Sequence, residues 1–319
     1  MKKITIRDIA RKAGVGVGTV SRVLNNSNQV SEETRTRIVD VMRALDYMPS
    51  AAAIRLARRA NNATIIGLLL PDIGNHFFFE IFEVIYQELR TKGVDILIFN
   101  YEEHHVEVIN KILDSAVSIL LIFNFHLDEQ EKELLFNRNV QYLYVDSPVL
   151  SERCLYTDNI YGGILAATFL ISRGVSRPCY IADIQNSTSS QDRLAGFRQA
   201  FDSKGIREIG LYTSTLTEES GRLIAQEIIT TELYDGVFCF CDEIAAGVIS
   251  VAREKKVNLQ VIGYDGLQIS RFLSFSTISQ HPRKIGSIVS NLVIKMLTNE
   301  IGMKDSIVHK ITPELIERI

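Results

Sequence analysis

The chain has 319 residues, 46% hydrophobic and 23% charged, which is enough apolar material for packed cores and excludes a disordered or low-complexity protein. Its net charge of -3 conceals an asymmetry: residues 1–62 hold twelve Lys or Arg against five Asp or Glu, a net of +7, and the remaining residues carry -10. There is no N-terminal apolar stretch of signal-peptide type and no run of about 18 apolar residues, and Cys154, Cys179, Cys239 and Cys241 lack CxxC spacing, so secretion, membrane insertion and a disulfide scaffold are disfavoured and a cytoplasmic protein with reduced thiols is expected.

The first predicted helix starts at Thr5, a cap residue, with Asp8 in the capping-box position three residues later. Ile6, Ile9, Ala10 and Ala13 repeat at helical spacing, and Gly14 lets one helix end and another begin nearby. In the second helix, Val17, Val20, Val23 and Leu24 form the inner face, leaving Gly18, Thr19, Ser21, Arg22 and Asn25 mostly outward. Hydroxyls and amides bond phosphate oxygens, and an Arg fork pairs with guanine O6 and N7 in a major groove. The spacing alone also fits a solvated two-helix corner; the surrounding positive charge favours a helix-turn-helix that meets a polyanion. Ser31 caps a third helix with Glu32 and Glu33 in its first turn and Ile38, Val41, Met42 and Leu45 as its buried stripe.

In the linker Tyr47 to Ala57, Pro49 ends the preceding helix, Ser50 can cap another, and the alanines that follow favour helix. So short a helix falls below the roughly 12 to 15 residues that hold alone in water, so it is expected to fold only when something supports it.

From Thr64 onward, apolar runs alternate with helical stretches. Ile65 to Leu70, Asp95 to Phe99, Ser118 to Phe123 and Gln141 to Val145 read as buried strands, with helices over Phe79 to Lys92, Val106 to Ser115 and Asp128 to Arg138. After Pro148 the alternation restarts. Strands lie near Pro178 to Asp183, Gly210 to Thr213, Gly236 to Cys239 and Leu259 to Gly263, with helices near Gly162 to Arg173, Arg193 to Lys204, Glu218 to Thr231 and Glu243 to Lys255. Two such runs predict two lobes with parallel sheets covered on both faces, and a ligand cleft outside the C-terminal strand ends. Asp146, Asp242 and Asp265 follow strands, Arg193 opens the helix DRLAGF, and Asn75, Phe77 and Phe78 lie past the first strand. Carboxylates and an Arg suit sugar hydroxyls, and an aromatic face suits a sugar's C–H patch. Acids at strand ends also cap helices, Asp242 above all. The six His have no metal-site spacing, and no GxSxG, Walker or dinucleotide loop occurs, so neither an enzyme nor a cofactor is expected.

The run from Ile4 to Leu56 resembles the headpiece of the LacI/GalR family of bacterial transcription regulators, with Val15, Thr19, Val20, Ser21, Arg22, Val23, Leu24 and Asn25 matching the VxxxTVSRVLN recognition helix. The linker resembles the hinge pattern YxPNxxAxxL, departing from it at Ser50 and Ile54, and Pro313 to Arg318 resembles the closing PxxLxxR. The resemblance implies a headpiece over 1–48, a hinge over 49–62, and over 63–319 a two-lobed effector and dimerisation domain of the type I periplasmic-binding-protein kind. It also implies base readers Val17, Gly18 and Arg22, phosphate contacts Thr5, Thr19, Ser21, Asn25, Ser31 and Thr34, and Leu56 inserted in the minor groove. Phe77, Asp146, Arg193, Cys241, Asp265 and Gln280 match effector positions, although Cys241 stands where the pattern has Asn. The implied partners are a pseudo-palindromic operator, a second or further copies of the chain, and a small effector. A sugar is expected, with a nucleoside, purine or sugar phosphate as the alternative and a sugar-transport protein as the rival class.

Overall fold

A computed structural model describes residues 5–24, 29–45, 64–71, 74–100, 105–303 and 305–318. Three short helices, α1 (Ile6–Ala13), α2 (Val17–Leu24) and α3 (Glu32–Ala44), form the N-terminal unit. The Asp8 carboxylate accepts from the Thr5 amide at 3.0 Å and the Thr5 hydroxyl at 2.7 Å, so the carboxylate half of the expected capping box is made. Gly14 takes the left-handed conformation, φ 68°, that closes α1. Ile9, Ala10, Ala13, Val20, Val23 and Ile38 share one small core, with Val41, Met42 and Leu45 half-buried against it. Val17, the first residue of α2, departs from the expected inner face: it is 44% exposed. The side chain of Leu24, together with Asn25, Leu56 and the hinge 49–62, falls outside the described residues.

The rest is two sheets with helices on both faces. The first runs in the order β11 (Ile307–Ile311), β5 (Arg153–Thr157), β4 (Gln141–Val145), β3 (Ile119–Phe123), β1 (Ile65–Leu70), β2 (Asp95–Asn100), all parallel. The second runs β12 (Glu314–Ile316), β10 (Thr277–Ser279), β9 (Gln260–Asp265), β8 (Gly236–Cys239), β6 (Pro178–Asp183), β7 (Gly210–Ser214), with only β12 antiparallel to its neighbour. Residues of β1 are buried throughout, as an inner parallel strand requires. The helices of the first lobe are α4 (His76–Arg90), α5 (His105–Asp114) and α6 (Glu129–Asn137); those of the second are α7 (Asn159–Ser172), α8 (Thr188–Asp202), α9 (Glu218–Thr231), α10 (Asp242–Lys255) and α11 (Gln268–Phe272). A last helix, α12 (Pro282–Leu297), returns to the first lobe, where Ile285, Val289, Val293 and Met296 join its core.

The lobes are therefore not two consecutive halves. Instead of opening the second lobe after Pro148, the chain first adds β5 to the first sheet, crosses at 157/158, returns after β10 to build α12 and β11, and crosses again to add β12. The sequence hides β5 behind a buried charge. Arg153 donates to the Tyr142 carbonyl at 3.0 Å and the Gly302 carbonyl at 2.8 Å, which satisfies it inside the sheet but breaks the apolar run. Close helix pairs rest on glycines: a Cβ at Gly163 would sit 2.0 Å from the Arg193 carbonyl oxygen, and one at Gly196 would sit 1.9 Å from that of Ile160. That mutual bite locks α7 against α8 and fixes where Arg193 emerges.

Candidate effector cleft and DNA-reading helix

On α2, Val17, Gly18 and Arg22 are exposed while Thr19 and Ser21 are half-buried. The three residues expected to read bases thus share one outward face, and only Arg22 offers it a polar side chain. Thr5, Ser31 and Thr34 lie at helix starts: the Ser31 hydroxyl accepts from the Thr34 amide at 3.4 Å and donates to the Thr34 hydroxyl at 2.9 Å. Their hydroxyls sit beside first-turn amides, the part of a helix that suits a phosphate oxygen.

Between the lobes lies a cleft of about 300 Å³, and all eight residues expected there line it: Asn75, Phe77, Phe78, Asp146, Arg193, Cys241, Asp265 and Gln280. Asn75 does so as the cap of α4, its side-chain oxygen accepting from the Phe77 and Phe78 amides at 2.9 and 3.4 Å. The helix accordingly starts three residues before the expected Phe79, and both phenylalanines sit in its first turn, with Phe78 edge-on to Phe123 at 5.6 Å. Asp146 and Asp265 close β4 and β9 with left-handed backbone, φ 58° and 107°, which turns their carboxyls out of the sheets toward the cleft.

Arg193 lies in the second turn of α8 rather than at its start, because Ser187 caps that helix five residues earlier than expected. Only 2% exposed, its guanidinium donates to Asn159 Oδ1 at 2.9 Å and the Phe240 carbonyl at 2.6 Å, and lies 3.6 Å above the Tyr264 ring. Tyr264 also donates to Asn159 Oδ1 at 3.3 Å, so one amide oxygen positions both groups. Asp265 stands 4.0 Å from Arg193 and accepts from Gln280 Nε2 at 2.7 Å.

Two buried acceptors on the cleft are left without a partner among the described residues: Asp146 Oδ1 and Gln280 Oε1. Burial pushes the Asp146 carboxyl up to about 6, with Arg193 acting in the opposite direction. Burial likewise raises Asp265 well above the usual carboxylate range, again opposed by Arg193. The Cys241 thiol is raised by burial and ends the loop before α10 as its cap residue. Asp242 is not the expected helix cap. It is fully buried and accepts from Thr277 Oγ1 at 2.6 Å and the Leu267 amide at 2.7 Å, tying α10 to β10 and α11.

Cleft residues not anticipated from the sequence include Asn124, Asp183, Ser189, Thr215 and Thr217. Asn124, Asp183 and Thr215 lie at or just past the ends of β3, β6 and β7, so the strand-end rule that found Asp146 covers them too. Asn159 and Tyr264 act one layer back, and nothing in their spacing marks them.

The family model of lacI-type bacterial regulatory proteins matches residues 5–50, and that of the periplasmic binding protein-like domain matches residues 167–319. The chain is 29% identical to the ribose operon repressor of Halalkalibacterium halodurans, over 92% of this chain and 90% of that one. It is 28% identical to the HTH-type transcriptional repressor PurR of Vibrio atlanticus, over 98% and 97%. Among solved structures, it superposes on the lac repressor dimer bound to operator and the anti-inducer ONPF with TM-score 0.72 and 23% identity, covering 99% of this chain and 98% of that one. With a helix-turn-helix headpiece, a two-lobed domain of parallel sheets and repressors as its full-length relatives, the chain belongs to the LacI family of bacterial DNA-binding transcriptional regulators.

Proposed function

We propose that the protein is a homodimeric repressor in the bacterial cytoplasm whose two headpieces grip a pseudo-palindromic operator, and whose grip is set by a carbohydrate held between the lobes. The observation that carries the effector half is the pair of buried acceptors, Asp146 Oδ1 and Gln280 Oε1, left open on a cleft that also presents Arg193 and Phe77. Sugar hydroxyls supply the missing donors and an aromatic side chain packs a sugar's C–H face. Its ribose-operon relative supports the same class of ligand.

One headpiece offers one readable Arg, so useful specificity needs two. Phe79 and Tyr86 on α4 are exposed beside half-buried Phe82, an aromatic stripe that suits a second copy, and the lac repressor structure is a dimer on operator. Effector that binds across the cleft favours one lobe arrangement over another, and DNA and effector affinities are then reciprocally coupled.

Thermal-shift screening against sugars, followed by operator binding with and without each hit, tests this reading. A sugar that stabilises the protein, fails to stabilise the Asp146→Ala variant, and changes operator affinity is the expected result. Hits confined to nucleosides or purines overturn the carbohydrate assignment. Deleting residues 1–60 should abolish operator binding and spare the thermal shift; retained operator binding would put the DNA contact elsewhere.

A further inference from the structure

Resting on the carbohydrate reading, we infer from the carboxylates and open acceptors that converge on the cleft that its effector is uncharged and rich in donors, a free sugar or polyol, and that phosphorylated and acidic sugars are excluded. Among the described residues, three carboxylates line the space, Asp146, Asp183 and Asp265, against a single cation, Arg193, with neither Lys nor His beside them. That cation is partly committed. Its Nε and one terminal nitrogen are taken by Asn159 and the Phe240 carbonyl, its faces by Tyr264 and Phe240, and its charge by Asp265.

Among the described residues, the fully buried side-chain atoms left open on the cleft are acceptors. Asp146 Oδ1 and Gln280 Oε1 belong to side chains only 7% and 1% exposed, so solvent cannot complete them without entering the cleft. A hydroxyl or amine donates to such oxygens. A phosphate at neutral pH brings acceptor oxygens and about 1.5 to 2 negative charges, which repel Asp146 and Asp183 and donate to neither open acceptor.

Helix starts are the usual place for a protein to hold a phosphate, and four of them, α4, α8, α9 and α10, border this cleft. Three of them are already capped: Asn75, Ser187 and Thr217 accept from first-turn amides of α4, α8 and α9. At α10 the cap residue, Cys241, makes no side-chain cap hydrogen bond. At three of the four starts, then, the chain's own side chains occupy the amide nest that an anion requires.

Titration calorimetry on the full-length protein tests this with free sugars and polyols, each paired with its phosphate ester or its uronic or aldonic acid. A neutral member should bind and its charged counterpart bind at least about 100-fold more weakly, the size of effect that like-charge juxtaposition gives. Affinity for the neutral ligand should fall as pH drops through 6 in the parent protein, and fall less in the Asp146→Asn variant, where Asp265 still titrates. A phosphate ester or acid that binds as tightly as its parent overturns this inference while leaving the carbohydrate reading intact. Binding by nucleobases or nucleosides alone, or by nothing in the panel, overturns both.

Discussion

Arg193 is the residue on which both lobes' chemistry turns, since its charge is shared with Asp265 beside it and opposes the rise in Asp146 across the cleft. Because burial lifts Asp146 from 3.8 to about 6, its contribution to folding is full below about 3.8, where it is protonated in both states, and is lost as pH rises through 6. Asp146→Asn should therefore stabilise the ligand-free protein above pH 6 by up to about 2 to 3 kcal/mol, with little change below pH 4, measured by urea denaturation across that range. In the headpiece, Gly18 presents no side chain, so the side chains exposed on the expected reading face of α2 are those of Arg22 and Val17. Arg22→Ala should lose about 1 to 3 kcal/mol at one base pair per half-site in competition binding, with a much smaller loss on random DNA. Equal losses on both would make Arg22 a phosphate contact.

Among the elements, the long parallel strands and amphipathic helices were legible because their buried faces repeat with period 2 or 3.6. Of the expected cleft residues, Asp146, Asp265, Asn75, Phe77 and Phe78 were legible because parallel strands deliver their C-terminal ends to one side, Arg193 because it lies in a helix beside them, and Cys241 and Gln280 only through the family resemblance. What stayed hidden was short or internally compensated: β10 and β12 have three residues each, too few to show any period, and β5 carries Arg153. Asn159 gave no signal because its importance lies in a hydrogen bond to a side chain 34 positions away. The α7–α8 crossing makes a sharp prediction. Gly163→Ala places a methyl within contact-forbidden range of backbone, so it should destabilise by more than about 2 kcal/mol and weaken effector binding by moving Arg193, whereas exposed Gly93→Ala should leave effector affinity unchanged. A second link joins α4 and α10 directly, His76 Nδ1 lying 3.1 Å from Glu243 Oε1 beside the cleft. Since it spans the lobes, a His76→Gln, Glu243→Gln double-mutant cycle should show a coupling in effector affinity; additivity would mean that the contact does not bear on closure.

At the scale of the whole molecule, the charge division of +7 on the first 62 residues and -10 beyond keeps the effector domain from competing for DNA while the headpieces are drawn to it. Operator affinity should fall steeply with salt, and effector affinity hardly at all. Phe79→Asp together with Tyr86→Asp should shift sedimentation from dimer toward monomer and reduce operator binding far more than effector binding. The three crossings between the lobes also bear on synthesis. On the ribosome, β5 emerges well before its partner β11, and the helix that seals α4 follows only after the second lobe's main strands have been made. At roughly 5 to 20 residues per second, the 154 positions between Thr157 and Ile311 leave the first lobe without its edge strand for about 8 to 30 s. A nascent chain truncated before Pro282 lacks α12 and β11, so it presents an unsealed apolar face to chaperones and proteases in place of a functional half.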